Sequence, residues 1–308
     1  LIDHRELFFL PGRDKEAPRR GWGAFDSSGL LNRLNDTYLV GGENGLLYLL
    51  RLGTRFDPIE RTIAVDPKVL RYRFRHGRNA RFGIENSVAV SRNVAFFADN
   101  GGTLQALDLR TLEPLWTFAA GDDTDASLTV DLEQGRPVLY TGAEVDRQGE
   151  RGRAWIRKLD GLDGEVKWER SYRCQGSREP RKIDSGVLAT NVVGKDDLAD
   201  LVIFTLARCP GPTGGLMLAL DKATGREVWT RKLPDYSWSS PTAVRDVQGN
   251  TLLLQADVRG RVFLFEGRTG KLLHSLRLHG AVEASPAVFG NVAVVATRQQ
   301  RIYGIRIR

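Results

Sequence analysis

A pattern that recurs along the chain constrains its fold more than any other feature. Four segments share a Gly, an apolar strand closing near an acidic residue, a tight turn and then an aromatic. They are Gly102–Asp108 with Trp116; Trp155–Asp160 with Asp163-Gly164 and Trp168; Gly215–Asp221 with Thr224-Gly225 and Trp229; and Gly260–Glu266 with Thr269-Gly270. In the last of these His274 stands at the aromatic position. Two weaker copies, Gly45–Leu50 and Arg301–Ile305, flank them. Self-similarity at such a period signals an array of small supersecondary units, each unable to bury its apolar surface alone.

A second landmark, a Ser followed by apolar residues, precedes each unit at Ser28, Ser87, Ser127, Ser185, Ser240 and Ser285, at intervals of 59, 40, 58, 55 and 45 residues. Each interval has room for four short strands, a to d. Strand b is apolar, as in Val94–Phe97 or Val292–Val295. Strand c carries the Gly-initiated run and strand d the aromatic. The Asp-x-x-Thr-Gly stretch between c and d has turn chemistry: Asp accepts local amide hydrogens and Gly supplies positive φ. Four short strands with regular turn signals predict a propeller blade.

The last unit runs out after strands a, b and c, while the apolar stretch Leu7–Leu10 precedes the first Ser. The sequence therefore predicts an all-β, six-bladed β-propeller of four-stranded antiparallel blades, with the N-terminal strand closing the last blade. A closed ring leaves no exposed sheet edge. The expected single domain, 1–308, has blades at about 22–75, 82–118, 123–170, 183–233, 238–278 and 283–308, the last completed by 5–12.

These units resemble the PQQ-like β-propeller repeat family, most closely across Gly215–Trp229. The resemblance implies that the aromatic docks each blade on its neighbour, a role that falls to Trp116, Trp168 and Trp229, with His274 as the departure. Gly194–Val202 is fainter in its likeness to an FG-GAP repeat, whose acidic residues carry calcium. Val192 and Gly194 occupy two places where oxygen ligands belong, so a solvated approach to strand b is the preferred reading there. Dehydrogenases of the family imply eight blades, an adjacent-cysteine disulfide over PQQ, and a Glu/Asn/Asp set holding calcium. Only six blades are countable here and the two cysteines are not adjacent. The family also includes an outer-membrane assembly lipoprotein that works as a scaffold without PQQ. No cofactor is expected, with calcium the lesser reading, and the chain reads as a non-enzymatic propeller; a PQQ- or metal-dependent propeller enzyme is the alternative.

Other chemistry is sparse. The four His (His4, His76, His274, His279) have no metal-ligand spacing and no Gly-x-Ser-x-Gly elbow nearby. His274 is expected to be core or half-buried. Asp122, Asp123 and Asp125 read as an acidic solvated turn, with a cation site as the rival reading. In Arg71-Tyr72-Arg73-Phe74-Arg75 a period of two predicts an outer strand with its aromatics inward and its cations guarding the edge.

The cysteines say more. In a propeller the d–a and b–c loops emerge on one face. Cys174 is expected in the loop entering blade four and Cys209 in that blade's b–c loop, so a disulfide between them is predicted; two separate thiols are the alternative. Such a bond belongs in an oxidising compartment. The same face collects Arg147, Arg151, Arg173, Arg178 and Arg208, together with Arg78 and Arg81 and the aromatics Trp22 and Trp238. Arginine with exposed aromatics is the composition of interface hot spots. The net charge of +7 favours anionic partners. The expected ligand is a protein or an anionic glycan or envelope polymer, outside the cytoplasm, and not nucleic acid. No run reaches the roughly 18–20 apolar residues needed to span a bilayer. The start at Leu1 rather than Met reads as a trimmed or mature fragment, with room for a removed signal or membrane anchor.

Overall fold

The structure, a computed structural model, describes residues 25–73, 82–176 and 183–307. The expected closing strand, Leu7–Leu10, lies outside the described residues. The chain divides into two compact units, Leu1–Ala119 and Ala120–Arg308.

In the first unit β1 (Leu30–Asn32), β2 (Thr37–Gly41), β3 (Leu47–Arg51), β4 (Arg55–Asp57), β5 (Thr62–Ala64) and β6 (Lys68–Tyr72) form a four-stranded antiparallel sheet ordered β1-β2-β3-β6, with β4 and β5 as a separate hairpin between its last two strands. β7 (Ala89–Ser91), β8 (Val94–Ala98), β9 (Thr103–Asp108) and β10 (Glu113–Ala119) form the second sheet. Tyr72 points inward as its alternation predicts. Its ring meets Phe97 edge-on at 6.3 Å, its hydroxyl donates to Gln105 at 3.2 Å, and burial pushes its pKa up to about 12.

The second unit holds four sheets. The third sheet is β11 (Thr129–Glu133), β12 (Arg136–Gly142), β13 (Arg151–Asp160) and β14 (Val166–Gln175). The fourth is β15 (Val192–Val193), β16 (Leu201–Ala207), β17 (Gly215–Asp221) and β18 (Glu227–Leu233). The fifth is β19 (Thr242–Arg245), β20 (Thr251–Ala256), β21 (Arg261–Glu266) and β22 (Leu272–Arg277). The last is three-stranded: β23 (Ala287–Phe289), β24 (Val292–Thr297) and β25 (Arg301–Arg306). Strands b and c form the core; every residue of β16 is buried. Among the described residues no helix is long and apolar enough to cross a membrane.

The recurring turn works as its residues dictate. Asp221 accepts the amide of Thr224 at 2.8 Å and its hydroxyl at 2.6 Å, and Gly225 takes φ +67°. The following strand then docks. Trp168 donates its indole N–H to the Lys222 carbonyl at 2.9 Å, and Trp229 donates to Gly267 at 3.1 Å. A Cβ on Gly225 would lie 2.6 Å from the Trp168 ring, so glycine is what lets the ring close down on the turn. Trp116 packs tilted on Phe96 of its own sheet at 6.1 Å.

His274 departs from this scheme and corrects an expectation: it is exposed, not core or docked. Docking at Trp168 and Trp229 uses the c–d turn of the next sheet. After β25 the described residues supply no such turn, so His274 borders an open cavity of 940 Å³ instead, beside Val244, Val288 and Ile305.

The Ser landmark also has a physical cause. The hydroxyl of Ser285 accepts the Ser240 amide at 3.0 Å, that of Ser240 accepts the Thr190 amide at 3.0 Å, and that of Ser87 accepts the Ser28 amide at 2.9 Å. Each of these residues stands two positions before its strand a. The landmark of the fourth sheet is therefore Thr190, not Ser185. Ser185 is fully buried five residues earlier, with its hydroxyl on the Gln175 carbonyl.

Candidate functional site

The site is built on an overshoot. β13 and β14 each run ten residues, but β12 pairs with β13 only from Ile156 to Asp160. Residues 151–155 and 171–175 thus project as a two-stranded ribbon. Pairs directly opposite share a face, and the register sets Arg153 against Arg173, Arg151 against Gln175, Trp155 against Ser171 and Arg157 against Glu169. One face therefore carries Arg151, Arg153 and Arg173, all exposed, and the half-buried Trp155, over which the Arg157 guanidinium sits at 5.1 Å. Arg153 is held in place by the Ser171 hydroxyl, at 2.9 Å from Nε and 2.6 Å from Nη2.

The opposite face carries Cys174, which is bonded to Cys209, 35 residues on. The predicted pairing holds, with one correction: Cys174 lies within β14, not in the loop after it, because the strand continues to Gln175. The bond ties the back of the ribbon to the loop between β16 and β17. There Arg208 stacks on Tyr236 at 3.6 Å from the ring centroid and donates to the carbonyls of Asp184 at 3.1 Å and Pro212 at 2.7 Å. Tyr236 in turn contacts Trp238, 6.0 Å between centroids, and the Trp238 indole N–H is buried without a partner.

The structure thus brings Arg147, Arg151, Arg173, Arg208 and Trp238 to one end of the sheets of the second unit. Arg147 lies in the 143–150 loop, whose Gln148 side chain clasps the backbone of Arg153. Trp22, His76, Arg78, Arg81 and Arg178 lie outside the described residues. Sequence reasoning missed Arg153, Trp155 and Tyr236. The first two were legible as Arg151-x-Arg153-x-Trp155-x-Arg157, a period of two on one strand face; Tyr236 had no local signal.

The acidic residues of Gly194–Val202 are engaged within the protein. Asp197 accepts the Thr251 amide at 2.9 Å, Asp200 pairs with Arg268, and Asp196 with Arg245. They join the fourth sheet to the fifth. At the c–d turn end of the sheets a buried lysine pair does the same for the third and fourth: Lys222 binds Asp131 at 2.7 Å and the Gly194 carbonyl at 2.8 Å, while Lys158 binds Glu133 at 2.7 Å and the Lys222 carbonyl at 2.9 Å.

Repeating four-stranded antiparallel sheets, Asp–Gly turns and docked indoles define the class: the chain carries PQQ-like β-propeller repeats. Residues 213–308 match the family model described as outer membrane protein assembly factor BamB. A protein of that name from Burkholderia pseudomallei is 30% identical over 218 residues, covering 68% of this chain and 48% of the relative. The chain thus spans about half the length of the curated relative it matches. Among solved structures it is similar to the computationally designed Ika8 protein (TM-score 0.56, 13% identity, 92% of this chain and 71% of that one). It is also similar to the WD40 β-propeller domain of Doa1 (0.53, 12%, 91% and 77%) and to quinohemoprotein alcohol dehydrogenase from Comamonas testosteroni (0.54, 14%, 92% and 46%). At these identities the likeness is one of fold.

Proposed function

We propose that this chain is a non-enzymatic, extracytoplasmic scaffold propeller that binds a partner protein with an acidic surface through the ribbon of β13 and β14. The observation that carries the reading is that Arg151, Arg153 and Arg173 share one exposed face with Trp155. Like charges facing each other on a sheet are unfavourable, and a carboxylate-bearing partner relieves that repulsion with bidentate pairing. Behind the ribbon, the disulfide and the stack of Arg208 on Tyr236 hold it in place. The assembly-factor name of the Burkholderia relative supports a protein partner, and the disulfide supports an oxidising compartment. In the full reading the ring has six blades, with Leu7–Leu10 as the fourth strand beside β25.

The test is capture of envelope proteins by the wild type and by an Arg151→Glu, Arg153→Glu, Arg173→Glu variant of equal thermal stability. Loss of a specific partner in the variant, with salt-sensitive binding in the wild type, is expected; an unchanged set of partners rejects the ribbon as the site. The enzyme alternative is tested by titrating PQQ with calcium, where a shifted cofactor spectrum would overturn the scaffold reading.

A further inference from the structure

We infer that Asp123, Asp125 and Glu144 form a calcium site. The three offer carboxylate oxygens that all lie within 4.8 Å of one another. Oxygens this close can meet on one ion at calcium–oxygen distances of about 2.3–2.6 Å, and an irregular all-carboxylate set suits calcium, whereas magnesium demands a near-ideal octahedron and keeps most of its waters.

Glu144 makes this more than an acidic turn. It is only 2% exposed, and its Oε1 has no hydrogen-bond partner. A buried carboxylate oxygen left without a partner is costly, and burial, then the charges of Asp125 and Asp123, push its pKa well above the ordinary value. Asp125 is close enough to share its proton.

The backbone holds the ligands ready. The Glu144 amide donates to the Asp123 carbonyl at 2.9 Å, which joins the two ligand segments directly. Glu144 also bridges Gly186, in the segment that leads to the fourth sheet, where a Cβ would come within 2.8 Å of the Glu144 Cα. Asp122, itself buried, accepts the amides of Asp146 at 3.1 Å and Arg147 at 3.2 Å and so fixes the loop that follows. An ion here would brace the base of the ribbon, which begins at Arg151, independently of what the ribbon binds.

The test is calorimetric titration of the chelator-treated full chain with calcium chloride to about 10 mM, beyond the roughly 0.1–1 mM affinities of extracellular sites, with thermal unfolding as a second readout. Expected is saturable binding of one ion, with an upward shift in melting temperature. Glu144→Gln should weaken it at least about tenfold. Asp125→Asn, at a half-buried position, should do the same and guards against a folding defect in the first variant. Absence of saturable heat in the wild type overturns the site. So does an equal calcium response in both variants, and an equal or stronger response to magnesium rejects the assignment to calcium. None of these readouts depends on a protein partner, so the site and the ribbon can fail separately.

Discussion

The indole N–H of Trp168 donates to the backbone carbonyl of Lys222, 2.9 Å away and 54 residues further along the chain. That one bond joins strand d of the third sheet to the c–d turn of the fourth, and Trp229 repeats it on Gly267. Trp168→Ala should cost about 3–5 kcal/mol, as for other large buried side chains. Trp168→Phe, which keeps a ring but loses the donor, should cost roughly 1–3 kcal/mol. Gly225→Ala should also destabilise, since it places a Cβ against that ring at positive φ. Urea unfolding of the three variants checks the order.

Reduction should loosen the second unit. The bond between Cys174 and Cys209 closes a loop of 35 residues, which in the chain-entropy model contributes about 3–4 kcal/mol. Thermal unfolding with and without a phosphine reductant should differ accordingly, and a Cys174→Ser, Cys209→Ser variant should match the reduced protein and ignore the reductant.

Lys222 is buried against Asp131 and the Gly194 carbonyl. Lys222→Met removes the charge but leaves Asp131 in place, and should cost about 2–4 kcal/mol. Adding Asp131→Asn removes the stranded carboxylate and should recover part of the loss. A double-mutant cycle measures the coupling, and strict additivity would show that the two groups act separately.

Stability should depend on pH with two opposite signs. The Arg110 side chain holds the Asp108 pKa down at about 2, and hydrogen bonds from Thr224 lower that of Asp221. These carboxylates favour the fold above their unfolded value of 3.8, and that contribution is lost as pH falls toward 2. Glu144 is reversed. Burial, and then Asp125, Asp123 and Asp146 facing it, raise its pKa and keep a proton in the fold that the unfolded chain releases above 4.5. Its contribution is present below 4.5 and is lost as pH rises through the folded value. Melting temperature measured from pH 3 to 8 should therefore fall on the acid side in all variants. Glu144→Gln should remove the decline on the neutral side, and so should saturating calcium.

The ring-closure reading predicts that deleting residues 1–12 lowers the melting temperature by about 5 °C or more, because β25 then loses its expected neighbour. An unchanged melting temperature rejects Leu7–Leu10 as the closing strand.

What the sequence determined by itself was local. Strand period and the Asp-x-x-Thr-Gly turns depend on residues a few positions apart, and the Ser landmark recurs visibly once per unit, so the four-stranded units and the inward Tyr72 were legible; the order of strands and loops within those units then sufficed to pair Cys174 with Cys209. The tertiary structure decided what meets across distance. The overshoot of β13 and β14 past β12 put Arg153 and Trp155 on the same face as Arg173. The stacking of one sheet on the next buried Glu144 beside Asp123 and Asp125, made Thr190 rather than Ser185 the intersheet strap, and left His274 without a turn to dock on among the described residues. Backbone periodicity fixes which side of a strand a residue occupies. Only the packing of one sheet on the next fixes what lies opposite it, and burial, charge pairing and ligand geometry are all properties of that second relationship.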